Sequence, residues 1–168
     1  MPVAADDVVR AFRSTQPGAG EQLLARLRDA NPDEAEAALA EVVRRSRGDV
    51  RAWCAWLAAR SLPEDRALKL ALRVAQSRDP DVAHAALEVV ERLDPTALRP
   101  LARRFRRMLD AAGKDWYDAM TDQLVAMRIL GRIGDRESLG AIRSLRDDPS
   151  RPQNVRDLAA KVVAQLER

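Results

Sequence analysis

The feature that most constrains this chain is the regular recurrence of helix-breaking residues along its length. Prolines and glycines separate segments of about 11 to 20 residues in which apolar positions follow helical spacing. At several junctions an Asn or Asp stands before Pro, which suits an N-cap followed by proline at the first helical position. Four such pairs are Asn31-Pro32, Asp79-Pro80, Asp94-Pro95 and Asp148-Pro149. The pattern predicts about ten helices joined by short turns.

Composition supports the same fold class. Ala and Leu are the leading residues, charged residues make up 33% of the chain and aromatic residues only 4%. This residue set favours helix over strand. A chain of 168 residues is long enough to bury a continuous core in one domain. We therefore expect an all-α fold.

Four of the predicted helices share one register. Comparable helices start at Val50, Val82, Asp122 and Val155, so the offsets are 32, 40 and 33 residues. A second helix precedes each of them, which makes the repeating unit a helical hairpin. The register predicts a single helical-repeat domain over residues 1–168, with an N-terminal cap at about 1–48 and repeats that begin near 49, 81, 122 and 154.

The C-terminal part carries the clearest repeat motif. The sequence Leu130-Gly131-Arg132-Ile133-Gly134-Asp135 ends one predicted helix, and Asp148-Pro149 precedes Val155-Arg156 after a short insertion. Over residues 124–166, and more weakly back to residue 49, the chain resembles the HEAT-like repeat family, in which L-G-x-L-G-D and D-P-x-V-R occupy these places. The resemblance implies a right-handed α-solenoid of stacked antiparallel helical hairpins, and it implies little about function.

Basic side chains are concentrated near the C-terminus. The chain has 29 Lys and Arg against 26 Asp and Glu, but residues 99–168 carry fifteen basic and ten acidic residues. On a helical wheel, a dense arginine group lies opposite an apolar stripe that includes Phe105. A solvated outer face is the simplest interpretation, and a docking patch for an acidic partner or for phosphates is the alternative. The arginine group comprises Arg99, Arg103, Arg104, Arg106 and Arg107.

Further arginines lie near the predicted helix ends. Arg60, Arg92 and Arg132 occupy equivalent positions close to the C-termini of three helices. Attraction to the helix dipole explains such positions without a ligand. A ladder of guanidinium groups along a concave wall is the other interpretation.

Aromatic residues are found mainly in two pairs. Trp53 and Trp56 are three residues apart on one helix, and we expect one of them in the core. Trp116 and Tyr117 lie in the stretch DAAGKDWYDAM, which lengthens the third spacing to 40 residues. Insertions in repeats are common on the binding face, and Trp and Tyr are frequent interface anchors. Both docking and local core packing are open for this second pair.

The residues needed for common catalytic sites are scarce. The chain has one Cys, Cys54, and one His, His84. It has no phosphate-binding loop, zinc-protease or nucleophile-elbow motif, so we expect no enzyme activity, cofactor or metal. Cys54 occupies a row of small residues and is expected in the core. No basic start followed by an apolar run suggests a signal peptide, and the longest uncharged stretch has eight residues. We expect a cytoplasmic protein without membrane association.

These observations favour a non-enzymatic protein-protein interaction or scaffold module that presents a helical-repeat surface to a protein, and the arginine-rich face would suit an acidic partner. The alternative is a nucleic-acid-binding HEAT-like protein, with DNA glycosylases as the extreme form. Resemblance to those enzymes would cast Trp116, Asp122 and Arg128 in the concave wall. The candidate binding residues are Trp116, Tyr117, Arg99, Arg103, Arg106, Arg107, Arg128 and Arg132.

Overall fold

The computed structural model describes residues 3–110 and 116–168, and all regular secondary structure in these residues is helical. Helix accounts for 80% of them and they contain no strand, which confirms the all-α prediction. Within these ranges there are eleven α-helical segments and two short 3-10 turns. The helices are α1 (Ala5–Arg13), α2 (Ala19–Asp29), α3 (Pro32–Arg45), α4 (Asp49–Ser61), α5 (Glu64–Val74), α6 (Pro80–Glu91), α7 (Pro95–Leu98), α8 (Ala102–Met108), α9 (Trp116–Ile133), α10 (Leu139–Asp147) and α11 (Gln153–Leu166).

Three of the four predicted Asn-Pro or Asp-Pro caps begin helices. Oδ1 of Asn31 accepts the N–H of Asp33 at 2.8 Å, and Oδ1 of Asp94 accepts that of Thr96 at 2.6 Å. Asp79 caps α6 in the same manner. The fourth cap is wrong, because Asp148 ends α10 and its carboxylate accepts from Ser150 in the following turn. Helix α11 begins only at Gln153.

The arginine-rich segment is not one continuous helix. A single turn, α7, passes into a 3-10 turn at Arg99–Leu101 before α8 begins at Ala102. Pro100 lies inside that 3-10 turn. Proline supplies no backbone N–H, so the regular hydrogen-bond pattern of an α-helix is interrupted at this position. The apolar stripe nevertheless survives, since Leu98, Phe105 and Leu109 are buried.

Helices begin close to three of the four predicted repeat starts. These are Asp49, Pro80 and Gln153. At the third repeat, α9 begins at Trp116 rather than near 122 and is the longest helix of the described residues, with 18 residues. Trp116 and Tyr117 therefore belong to a helical turn and not to an inserted loop. Residues 111–115 of the predicted insertion lie outside the described residues.

The chain divides into two compact units, Met1–Leu93 and Asp94–Arg168. In the first unit, α4 packs against α2, α3, α5 and α6, and it contributes the fully buried residues Cys54, Leu57 and Ala58. Trp53 and Trp56 are both half-buried, so the expectation that one of them lies in the core is wrong. The Trp53 ring contacts Phe12 with centroids 5.5 Å apart, and the Arg60 guanidinium lies 4.4 Å from the centre of the Trp56 ring.

In the second unit, α9 is the central helix and packs against α7, α8 and α11. Ile129 and Leu130 are fully buried on it. Gly131 lets α11 approach closely, because a Cβ atom there would lie 3.2 Å from Cγ1 of Val162. The carbonyl of Gly131 also accepts a hydrogen bond of 2.9 Å from Nε2 of Gln165. The prediction that both units form a single repeat domain stays a prediction.

Candidate functional site

Trp116 and Tyr117 are the most exposed large apolar side chains of the described residues. They open α9 with exposed fractions of 65% and 57%, respectively. The core-packing interpretation of Trp116 is therefore wrong for the described structure. Both rings are amphipathic and suited to contact with another molecule, and both lie at the start of the same helix.

A buried hydrogen bond connects α9, which carries these rings, to the end of α8. Gln123, two turns further along α9, is buried to 1% exposure and its Nε2 donates a hydrogen bond of 2.9 Å to the carbonyl of Leu109. This bond joins the end of α8 to α9 on the inner side. A buried amide with its partner in place holds a helix in one position, because losing the partner would leave a polar group unsatisfied. The bond therefore fixes Gln123 of α9 relative to the end of α8.

The predicted arginine group separates into exposed and engaged members. Arg99, Arg103 and Arg107 are exposed, and none of them forms an ion pair with another described residue. Arg106 behaves differently, since its Nε lies 3.4 Å from Oδ2 of Asp135 and its Nη1 contacts Glu137. The wheel placed no carboxylate among these arginines, but tertiary packing supplies two from the segment after α9.

The Arg106 contacts stabilise the unit and leave this residue little freedom to bind a ligand. Its side chain is 31% exposed, and that of Asp135 is only 10% exposed. Nε of Arg106 and Oδ2 of Asp135 are buried but form no aligned hydrogen bond, so their contact is mainly electrostatic. Removing one partner of such a partly buried charge pair lowers protein stability more than removing one partner of an exposed pair does.

Arg128 and Arg132 lie exposed on α9, and each already interacts within the protein. Arg132 is in the last turn of α9, as the dipole interpretation requires. The pKa of Asp94 is lowered mainly by the N–H of Thr96, and the charge of Arg132 adds to this effect. Arg132, Arg99 and Arg136 line a groove of about 390 Å³. The structure thus brings together two of the predicted site residues, Arg99 and Arg132, at this groove.

A second arginine-lined cavity was missed by sequence reasoning. It has a volume of about 540 Å³ and lies in the first unit. Basic and acidic residues nearly balance in the first unit, so its net charge gave no indication of this cavity. A signal was present, because Arg47 and Arg78 each stand just before a helix start at the repeat interval. The lining residues are Arg47, Gly48, Arg51, Gln76, Ser77, Arg78 and Asp79.

Cys54 and His84 are the two residues with potential for nucleophilic or acid-base catalysis. Cys54 is fully buried, and desolvation raises the pKa of its thiol to about 12, so the nucleophilic thiolate is disfavoured. Nε2 of His84 lies 3.4 Å from Oε1 of Glu88, one helical turn away. Within residues 3–110 and 116–168, no three His, Cys, Asp or Glu side chains are grouped so that they could hold a metal ion.

No family model, curated protein or solved structure matches this chain. In the part of the chain that the structure describes, no helix has the length and apolar character needed to cross a lipid bilayer. The chain is thus described as an all-α protein. It has two candidate binding regions, the exposed aromatic pair Trp116 and Tyr117 with the neighbouring arginines of α8, and the arginine-lined cavity of the first unit.

Proposed function

We propose that this chain is a non-enzymatic, cytoplasmic protein-interaction module of the HEAT-like α-solenoid kind that docks an acidic protein through the start of α9. The observation that carries the proposal is the exposure of Trp116 and Tyr117, at 65% and 57%. Folded proteins bury most rings of this size, and Trp and Tyr are the residues that most often dominate interface energies.

The packing order of the helices supports the repeat architecture. In the first unit, α4 contacts its neighbours α3 and α5 and also the next-but-one helices α2 and α6. In the second unit, α9 contacts its neighbour α8 and also the next-but-one helices α7 and α11. Stacked hairpins produce this pattern, because each helix meets its hairpin partner and its equivalents in the adjacent repeats.

Charge argues for an acidic partner. Arg103 and Arg107 are exposed on α8, and neither forms an ion pair with another residue of the described ranges. Helix α8 packs directly against α9, which carries the aromatic pair. Guanidinium groups on the helix next to the one that carries an apolar anchor favour a carboxylate-rich partner, and such charges mainly raise the association rate and set partner choice.

A nucleic-acid-binding function is the second candidate. The groove lined by Arg99, Arg132 and Arg136 favours it, because arginines around a groove of about 390 Å³ present several donors to phosphate oxygens. Its disadvantage is that the groove lies at the C-terminal end of α9, where the helix dipole itself attracts arginines.

The decisive variant is Trp116→Ala. A photo-crosslinking residue at position 117 first captures a partner from the native host, and the affinity of the purified partner is then measured. Loss of a central aromatic anchor should weaken binding by about 30-fold or more. The melting temperature should stay within a few degrees, because the ring is 65% exposed.

Phe12→Ala is the matched control, since Phe12 is also exposed, at 38%, but belongs to the first unit. Its affinity should equal that of the wild type. Equal binding by Trp116→Ala and the wild type would contradict the docking proposal. Binding of duplex DNA that falls by orders of magnitude between about 50 and 200 mM salt, and that survives Trp116→Ala, would favour the nucleic-acid alternative.

A further inference from the structure

The arginine-lined cavity of the first unit is formed by residues around the starts of two helices. Arg47, Gly48 and Arg51 lie at the start of α4 and residues 76–79 precede α6, and both groups line the same cavity of about 540 Å³. Helices α4 and α6 pack against each other. Their N-termini therefore lie at the same end of the unit, beside three guanidinium groups.

The charge of this cavity is unbalanced. Arg47, Arg51 and Arg78 line it, and none of the three forms an ion pair or a side-chain hydrogen bond with another residue of 3–110 and 116–168. The one carboxylate in the lining belongs to Asp79, whose Oδ1 accepts from the backbone of Asp81 at 3.2 Å and of Val82 at 3.4 Å. That carboxylate is occupied as the cap of α6.

Helix dipoles do not explain two of these arginines. Arg51 is in the first turn of α4, and Arg78 directly precedes the N-cap of α6. The N-terminal end of a helix carries partial positive charge, so basic side chains are disfavoured there and anions are favoured. This is the reverse of Arg132, which stands at a C-terminal end. Arg51 and Arg78, with Arg47 in the same lining, are best accounted for by an anion that they bind together.

Two atomic details point to the same ligand. Nε of Arg51 has no hydrogen-bond partner among the described residues, so the surrounding protein does not engage this guanidinium group. Gly48 is the N-cap of α4, with φ 62°, and it has no side chain to accept the N–H groups of Asp49 and Val50. An anion in the cavity would accept from these N–H groups, as phosphates do at other helix N-termini.

We propose that this cavity binds the phosphate group of a small phosphorylated molecule. The three arginines converge on one cavity rather than lying in a row, which suits a compact ligand better than an extended polynucleotide backbone. A guanidinium offers paired donors that match phosphate oxygens. The volume of about 540 Å³ exceeds the needs of a single phosphate and falls in the range of small-molecule pockets, which leaves room for an attached organic group.

This inference is independent of the docking function, because the cavity and Trp116 belong to different units. The test titrates the full chain at low chloride with inorganic phosphate, pyrophosphate and a sugar phosphate. Calorimetry measures the affinity, and the amide resonances of Gly48 and Arg51 report the site. We expect saturable binding with Kd below about 1 mM for at least one probe. Tighter binding of the sugar phosphate identifies an organic phosphate as the ligand, whereas equal affinities assign recognition to the phosphate group alone.

Arg78→Gln and Arg51→Gln should each weaken binding by about 10-fold, because each removes a charge-assisted donor. Arg78 is exposed, so Arg78→Gln tests the site even if Arg51→Gln lowers stability. Arg73→Gln is the matched control, since Arg73 is an exposed arginine of α5 outside the lining. It should bind as the wild type does.

Absence of saturable binding by all three probes would overturn the proposal. So would an equal loss in Arg73→Gln, or unshifted Gly48 and Arg51 resonances in the presence of bound phosphate. A single-stranded oligonucleotide is the final probe. Binding of the oligonucleotide through Arg78 without binding of phosphate, pyrophosphate or sugar phosphate would also overturn it, and would assign the cavity to nucleic acid.

Discussion

Cys54 and Trp116 show how differently burial acts on single residues of this chain. Cys54 is at 0% exposure and Trp116 at 65%, although both are on long helices with many apolar neighbours. Burial removes Cys54 from chemistry, because the charged thiolate loses its hydration there. Exposure makes Trp116 available for binding, since its ring gains by leaving water only when another molecule covers it.

The thiol of Cys54 makes a testable contribution to alkaline stability. Its pKa is raised from 9.0 to about 12 in the folded protein. Between these values the unfolded chain releases the proton while the folded chain keeps it, so the free energy of unfolding falls as pH rises. We expect the wild type to lose stability relative to Cys54→Ala from pH 9 upward, by up to about 1.4 kcal/mol per pH unit. Urea unfolding of both proteins at pH 8, 9 and 10 measures this difference. Parallel pH profiles would contradict it.

Helix ends in this protein depend on a few residues with special backbone requirements. Gly134 follows α9 at φ 70°, and the N–H of Asp135 reaches back to the carbonyl of Leu130 at 3.0 Å. This is the left-handed C-terminal cap that glycine adopts without strain. The sequence Leu130-Gly131-Arg132-Ile133-Gly134-Asp135 therefore contains a physical signal for the end of a helix.

We expect opposite effects from one substitution at two glycines. Gly134→Ala should lower the free energy of unfolding by about 1 kcal/mol, because alanine is strained at positive φ. Gly140→Ala should leave stability unchanged or raise it by about 0.5 kcal/mol, since Gly140 lies within α10 and a Cβ atom there meets nothing within 4 Å. Chemical denaturation of the two variants provides the comparison. Equal destabilisation of both would contradict the cap assignment.

At the scale of the whole molecule, each unit has its own core. Leu39 and Leu57 are fully buried in the first unit, and Phe105 and Ile129 are fully buried in the second. A compact unit with its own hydrophobic core can in principle fold alone. Separation of the two units should therefore be tolerated.

We expect fragments 1–93 and 94–168 to fold when expressed separately. Each should retain a helical circular-dichroism spectrum and a cooperative thermal transition. The shorter fragment should be the less stable one, because a smaller chain buries a smaller share of its surface. Loss of helicity in either fragment would show that its core depends on the other.

Local chemistry accounts for what the sequence predicted correctly. Apolar spacing and composition identified the helices, and the caps at Asn31, Asp79 and Asp94 marked three of their starts. These features depend on residues within one helical turn of each other. The same reasoning was wrong at Asp148, where a side chain that fits an N-cap ends α10 instead, because turn and cap use similar local hydrogen bonds.

The candidate sites depended on tertiary structure. The sequence grouped Arg106 with its neighbours, but Asp135 and Glu137 engage it from another segment. It could not assign Trp116 to core or surface, because burial depends on which helices pack around α9. It also missed the cavity between Arg47, Arg51 and Arg78, since residues about one repeat apart meet only when α4 and α6 are packed side by side. Helix formation is decided by local interactions along the chain, whereas burial and charge pairing are decided by residues that are distant in sequence.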